Sequence, residues 1–162
     1  MENTNRLISE MIGYYAGDPK RIQHFIKVHS FAKLIGALEN LDAHTLFTLE
    51  TAAVVHDIGI KLCEQKYGSC NGKQQETEGP AVAKELLERL NYDTSVIERV
   101  CYLVGHHHTY SAINGLDYQI LVEADFLVNF YEDDMNKSAR EAAFHNVFRT
   151  KSGSALYQKM FP

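Results

Sequence analysis

The chain has 162 residues, 45% of them hydrophobic and 23% charged, with three prolines and no tryptophan, which fits one globular domain with an ordinary core and argues against disorder. A net charge of -5 without a basic run argues against a protein built to neutralise duplex nucleic acid, and three cysteines, none in a Cys-x-x-Cys pair, suggest free thiols. The N-terminus lacks the basic-then-apolar order of a signal peptide, and the longest apolar stretch, Ile120 to Phe130, is broken by Glu123, Asp125 and Asn129, so a cytoplasmic protein that demands no membrane is expected.

A first helix is predicted over about residues 3 to 16, with Leu7, Ile8, Met11, Ile12 and Tyr15 on a packing face. Gly17-Asp18-Pro19 then supplies a break, an N-cap and a first-turn proline. In the second helix Ile22, Phe25, Ile26, His29, Ala32 and Ile35 form the expected buried stripe, which places His29 inside; His24 falls off that stripe and, like His44, is expected to face solvent. Asp42 caps a third helix, in which Leu46, Leu49, Ala53 and His56 recur three or four residues apart before Asp57 and Gly59. His56 and Asp57 thus sit at a helix C-terminus. The unpaired carbonyls there disfavour an isolated aspartate and favour a cation.

Ile60 to Thr77 shows little periodicity and carries Lys61, Lys66 and Lys73, so a long loop beside the His-Asp pair is expected, of the kind that serves as a lid or binding loop. Thr77-Glu-Gly-Pro80 opens a fourth helix, with Glu78 in its first turn and Val82, Ala83, Leu86, Leu87 and Leu90 as its stripe. Asp93 caps a fifth helix in which Val96, Val100, Leu103 and His107 lie on one line, with His106 beside them. Successive helical residues diverge by about 100°, so at most two of His106, His107 and His108 can share a site. After Asn114-Gly115, Asp117 is expected to cap a helix that is apolar around most of its circumference. Asp125 lies on one line of it with Leu121 and Val128. A buried carboxylate there requires a cationic partner, and no Lys or Arg lies nearby in sequence. Ser138-Ala-Arg-Glu141 reads as a capping box for a helix through Phe148, and a short C-terminal helix follows.

A histidine, a later His-Asp pair and a later aspartate, spread over separate helices, resemble the motif of the HD-domain superfamily of metal-dependent phosphohydrolases, from about His24 to about Asp133. The strings Lys-Tyr-Gly-Ser, Gly-Lys-Gln-Gln-Glu, Glu-Gly-Pro and Val-Gly-His-His-His-Thr-Tyr look like a subgroup of small bacterial HD-domain proteins. The resemblance implies an all-α, single-domain bundle of six or seven helices spanning residues 1–162, with its core at about 19–133. It assigns His29, His56, Asp57 and Asp125 to the shared metal site, Asp57 bridging if two ions bind. Relatives with two metals add two histidines. Leu103-Val-Gly-His106 matches one, whereas Glu78-Gly79-Pro80 stands where His-Gly-Pro is expected, so Glu78 becomes the candidate second-site ligand. Lys61 lies one residue later than the lysine of many relatives.

The implied cofactor is one or two divalent ions per chain, from Fe, Mn, Zn, Co, Ni or Mg, since imidazole and carboxylate ligands leave the choice open. The implied activity is hydrolysis of a phosphate ester of a nucleotide or other small phosphorylated metabolite, with Asp57 and Lys61 catalytic. Lys73 and His107 would bind substrate, and His107 could also shuttle a proton. The alternatives are a di-iron oxygenase of the same fold and a non-catalytic metal or nucleotide sensor. A small phosphorylated substrate and a second copy in a homodimer are the expected partners; nucleic acid is not demanded.

Overall fold

The computed structural model describes residues 2–162, with side chains from Thr4 onward. Nine helices lie among the described residues: α1 (Glu2–Tyr14), α2 (Pro19–Leu38), α3 (Ala43–Val55), α4 (Gly59–Tyr67), α5 (Gly72–Arg89), α6 (Thr94–Val104), α7 (Leu116–Glu132), α8 (Lys137–Val147) and α9 (Lys151–Met160). No strand occurs among them. The helical class is as expected, and the count exceeds the six or seven anticipated because the expected loop over 60–77 is itself mostly helical. α4 ends where Gly68 takes up a left-handed conformation at φ +74°. The chain then restarts at Asn71, whose side chain accepts from the Gln74 amide while Gln74 reaches back to the Asn71 amide, a reciprocal capping box. Pro80 therefore lies inside α5 rather than in a first turn, and the Glu76 carbonyl has no amide to accept from at that position.

The other helix starts follow side-chain chemistry. Asp18 accepts from the Arg21 amide ahead of Pro19, and Asp42 accepts from the His44 and Thr45 amides. Two expected caps move: Asn136, not Ser138, caps α8, and α7 starts after Gly115, which leaves Asp117 in the first turn paired with Arg99 at 2.6 Å.

α2 packs against α3 and α7, α3 against α6 and α7, and α5 against α4 and α6. Two elements are central: Thr48 to Val55 of α3 and Ile120 to Asp125 of α7 are buried at every position. Each buried Leu, Ile or Val there is worth about 1.5–3 kcal/mol, so side chains projecting from these helices start from a stiff base. α1 adds a clamp that periodicity alone did not disclose. The Tyr15 hydroxyl donates to the Asp57 carbonyl at 2.7 Å and the Tyr14 hydroxyl to the Ile58 carbonyl at 3.2 Å, which satisfies the open carbonyls after α3 and fixes the turn that carries Asp57.

Candidate metal centre

Five side chains from four regions converge. His24 comes from α2, His56 and Asp57 from the end of α3 and the turn after it, Asp125 from α7, and His107 from the turn after α6. The Nε2 atoms of His24 and His56 face each other at 3.2 Å. Asp57 Oδ2 lies 3.4 Å from His24 Nε2 and 3.3 Å from His56 Nε2, and Asp125 Oδ1 lies 3.2 and 3.6 Å from the same two nitrogens. Asp57 Oδ1 points the other way, to His107 Nε2 at 3.4 Å. Asp57 therefore presents one oxygen to each side.

The second nitrogen of each ring decides what the first can do. His56 Nδ1 donates to the Ala53 carbonyl at 2.9 Å, His107 Nδ1 to the Val104 carbonyl at 2.8 Å, and His24 Nδ1 to Glu132 at 2.8 Å. Each partner only accepts, so in the neutral ring the proton sits on Nδ1 and the Nε2 lone pair faces inward. His107 is 1% exposed, and its Nε2 has no hydrogen-bond partner. Three inward lone pairs and two carboxylates, one nitrogen orphaned and two others in near contact, are the donor set of a divalent cation. The residues fit such an ion. The inward ligand atoms of His24, His56 and Asp57 lie within 4.8 Å of one another, as do those of Asp57, His107 and His108.

The close histidine–carboxylate contacts shift how these groups titrate. Burial opposes charge at His24 and His56, but the Asp125 hydrogen bond at His24 and the Asp57 charge at His56 outweigh it, so both imidazoles hold their protons above the usual range, His56 well above. Burial likewise opposes ionisation of Asp57 and Asp125. His56 and His107 nevertheless hold Asp57 well below the ordinary carboxylate range, and the hydrogen bonds from His24 and His56 do the same for Asp125. His108 goes the other way, down to about 4, chiefly through burial.

Outer contacts hold these groups in place. Asn129 Nδ2 donates to Asp125 Oδ1 at 2.9 Å. Gln75 and Glu76 of α5 tether the histidine turn: Gln75 Oε1 accepts from His108 Nε2 at 2.9 Å, and Glu76 Oε1 accepts from the His108 amide at 3.0 Å and the Thr109 hydroxyl at 2.9 Å. A cleft of about 240 Å³ lined by Asp18, Lys20, Arg21, His24, Asp57 and Asn129, among others, opens onto the cluster.

Several residues singled out from sequence stand elsewhere. His29 gives its Nε2 to Glu50 at 2.9 Å, beside Lys33, and does not join the cluster; His24, expected in solvent, is buried and takes that place. His106 turns its Nδ1 to the Tyr102 carbonyl at 2.7 Å and stacks on the Tyr102 ring, so His107 is the histidine beside Asp57. Glu78 pairs with Lys66 at 2.6 Å and Tyr67 at 2.7 Å, tying α4 to α5. Lys61 donates to the Tyr14 carbonyl at 2.8 Å and covers the Tyr14 ring. Lys73 is exposed in the first turn of α5. The signal for His24 was its spacing of four and eight residues from Val28 and Ala32, both fully buried.

The HD-domain family profile matches residues 21–146, which takes in every residue of the cluster. The chain belongs to the HD-domain family. A "predicted HD superfamily hydrolase" from an uncultured Thermotogales bacterium has a similar crystal structure, with 26% sequence identity, a TM-score of 0.65, and coverage of 98% of this chain and 82% of that one. No curated protein is similar enough to the chain to count as a match. In this HD domain, none of the helices among the described residues is long and apolar enough to cross a membrane.

Proposed function

We propose that this HD-domain protein is a metal-dependent phosphohydrolase that cleaves a phosphate ester of a nucleotide or another small phosphorylated metabolite. The observation that carries the reading is the inward convergence of His24, His56, Asp57 and Asp125, with the orphaned His107 Nε2 across Asp57. His24, His56, Asp57 and Asp125 would hold one divalent ion, and Asp57, His107 and His108 would hold a second. Such an ion, when bound, supplies Lewis acidity, acidifying a water and drawing charge from a phosphoryl oxygen. The chain's own groups do the rest. The Tyr15 hydroxyl holds the Asp57 turn, Asn129 orients Asp125, and buried His56 and His107 keep bulk water from the inner wall. Lys20 and Arg21 stand at the cleft that receives the substrate. Asp57 is the catalytic group on this reading, because it alone faces both sides. The roles sketched for Lys61 and Lys73 would require those side chains to leave the positions described above.

The test is phosphate release from a panel of nucleotides and phosphorylated metabolites by protein reconstituted separately with Mn, Fe, Zn, Co, Ni and Mg, beside the Asp57→Ala variant. Metal content and turnover are expected to vanish together in the variant. Undiminished turnover by metal-free Asp57→Ala, or oxygen uptake instead of phosphate release by the wild type, would sink the reading.

A further inference from the structure

The three inward-facing histidines engage their outer nitrogens in different ways. His56 and His107 give their Nδ1 protons to carbonyls of their own helices, which are neutral and fixed. His24 alone gives its proton to a charged side chain: one oxygen of Glu132 accepts from it at 2.8 Å, and the other takes the Lys27 ammonium at 2.5 Å. Lys27 stands three residues beyond His24 on α2, so both reach the same carboxylate. Glu132 is the last residue of α7. A carboxylate there opposes the partial negative charge of the helix end, so helix stability does not account for it. Its side chain is only 10% exposed, between the cleft at the cluster and a neighbouring one of about 270 Å³ lined by Lys20, Gln23 and Lys27.

We propose that Glu132 is a positioning residue for the metal site, one that locks the His24 tautomer and places negative charge behind the ring, while Lys27 sets how much of that charge His24 feels. This rests on the metal-site reading above. A carboxylate partner raises the basicity of a ligating imidazole, which a backbone carbonyl does more weakly. His24 is then the tunable ligand of the set. The two outer residues act in opposite directions: loss of the Glu132 charge weakens metal binding, and loss of Lys27 frees that charge and strengthens it.

The experiment is Co(II) titration of the metal-stripped full chain, read by its visible absorption band and by competition with a chelator, for wild type, Glu132→Gln and Lys27→Met. Glutamine keeps the shape and an acceptor oxygen, so the Nδ1 hydrogen bond can persist without the charge. Glu132→Gln is expected to bind Co(II) about 10- to 100-fold more weakly, with a shifted band and wild-type helicity, and Lys27→Met is expected to bind more tightly than wild type. Equal affinities for wild type and Glu132→Gln would overturn the proposal and leave the metal site standing. No Co(II), Mn or Zn binding by the wild type would overturn both. Should Glu132→Gln lose helicity, Lys27→Met decides alone, its side chain being 39% exposed; affinity no tighter than wild type would then overturn the charge relay.

Discussion

Helices α2 and α3 enclose two histidine–carboxylate clusters, and the difference between them shows what makes one a candidate metal site. At His29, the Nε2 atom meets Glu50 at 2.9 Å and Lys33 reaches the same oxygen at 3.2 Å, so a cation of the chain already faces the carboxylate. At His24, the outer nitrogen is the one engaged, and the inner nitrogen faces another imidazole nitrogen at 3.2 Å and carboxylates at 3.2 and 3.4 Å. No lysine or arginine side chain pairs with Asp57 or Asp125 among the described ion pairs. The same residue types, five positions apart on one helix, therefore form a self-contained ion pair in one place and an open donor set in the other. Burial does not separate them; the direction of the lone pairs does.

Exchanging the two histidines for alanine gives the largest expected contrast. His24→Ala should lose its bound divalent ion, by elemental analysis after gel filtration, and Asp57→Ala should do the same. His29→Ala should keep the full metal content and lose about 1–3 kcal/mol of stability, because Glu50 is left with Lys33 alone. For a chain of this size that is roughly 2–4 °C of melting temperature per kcal/mol. Metal loss in His29→Ala with retention in His24→Ala would invert the comparison and return His29 to the site.

That contrast also marks where the sequence stopped being readable. The all-helical class came through because periodic apolar stripes and capping residues recur along the chain. α2, however, has apolar residues at 22, 25, 26, 28, 31, 32, 34 and 35, nearly all around its axis, so its phase is ambiguous. Taking Ile22 and Ile26 as core rotates the buried face toward His29. The structure centres that face on Phe25, Val28, Ala32 and Ile35, with Ile26 at 36% exposure, which brings His24 inside. At the triple histidine the periodic line through Val96, Val100 and Leu103 led to His107, while family spacing led to His106. The structure sides with the periodicity, because His107 continues the buried face of α6 and His106 is turned onto Tyr102. Gly79-Pro80 suggested a helix start because proline suits a first turn. The Asn71–Gln74 box lies one helix segment earlier, in a stretch too polar to show a stripe.

A smaller effect follows from the raised pKa values of His24 and His56. His24 and His56 hold protons above the ordinary imidazole range, so in metal-free protein their ion pairs contribute stability that is fully present below pH about 6.5 and lost as pH rises through the raised values. A metal needs both rings neutral, so its binding displaces these protons and strengthens as pH rises through the same window. Calorimetric titration with Zn(II) in buffers of different ionisation enthalpy should detect proton release on the acid side of that window, and the melting temperatures of metal-free and metal-loaded protein should diverge as pH increases. Metal affinity that stayed flat across the window would mean that these imidazoles are not the ligands.

The mildest perturbation tests whether the closed cluster is closed by its lysine. Lys33 is 53% exposed while its partner Glu50 is 11% exposed, so the ion pair is half screened by solvent. Lys33→Met should cost at most about 1 kcal/mol, because His29 still donates to Glu50. If an unpaired buried carboxylate and a histidine were enough to recruit a metal, removing Lys33 would create a second binding site in the protein. The geometry opposes that outcome. His29 and Glu50 belong to neither of the two groups whose ligand atoms gather within 4.8 Å. Two ligands alone would give a site far weaker than four. Elemental analysis of Lys33→Met should therefore return the wild-type stoichiometry, and an added equivalent of metal would show that charge compensation, rather than the number of converging lone pairs, separates the two clusters.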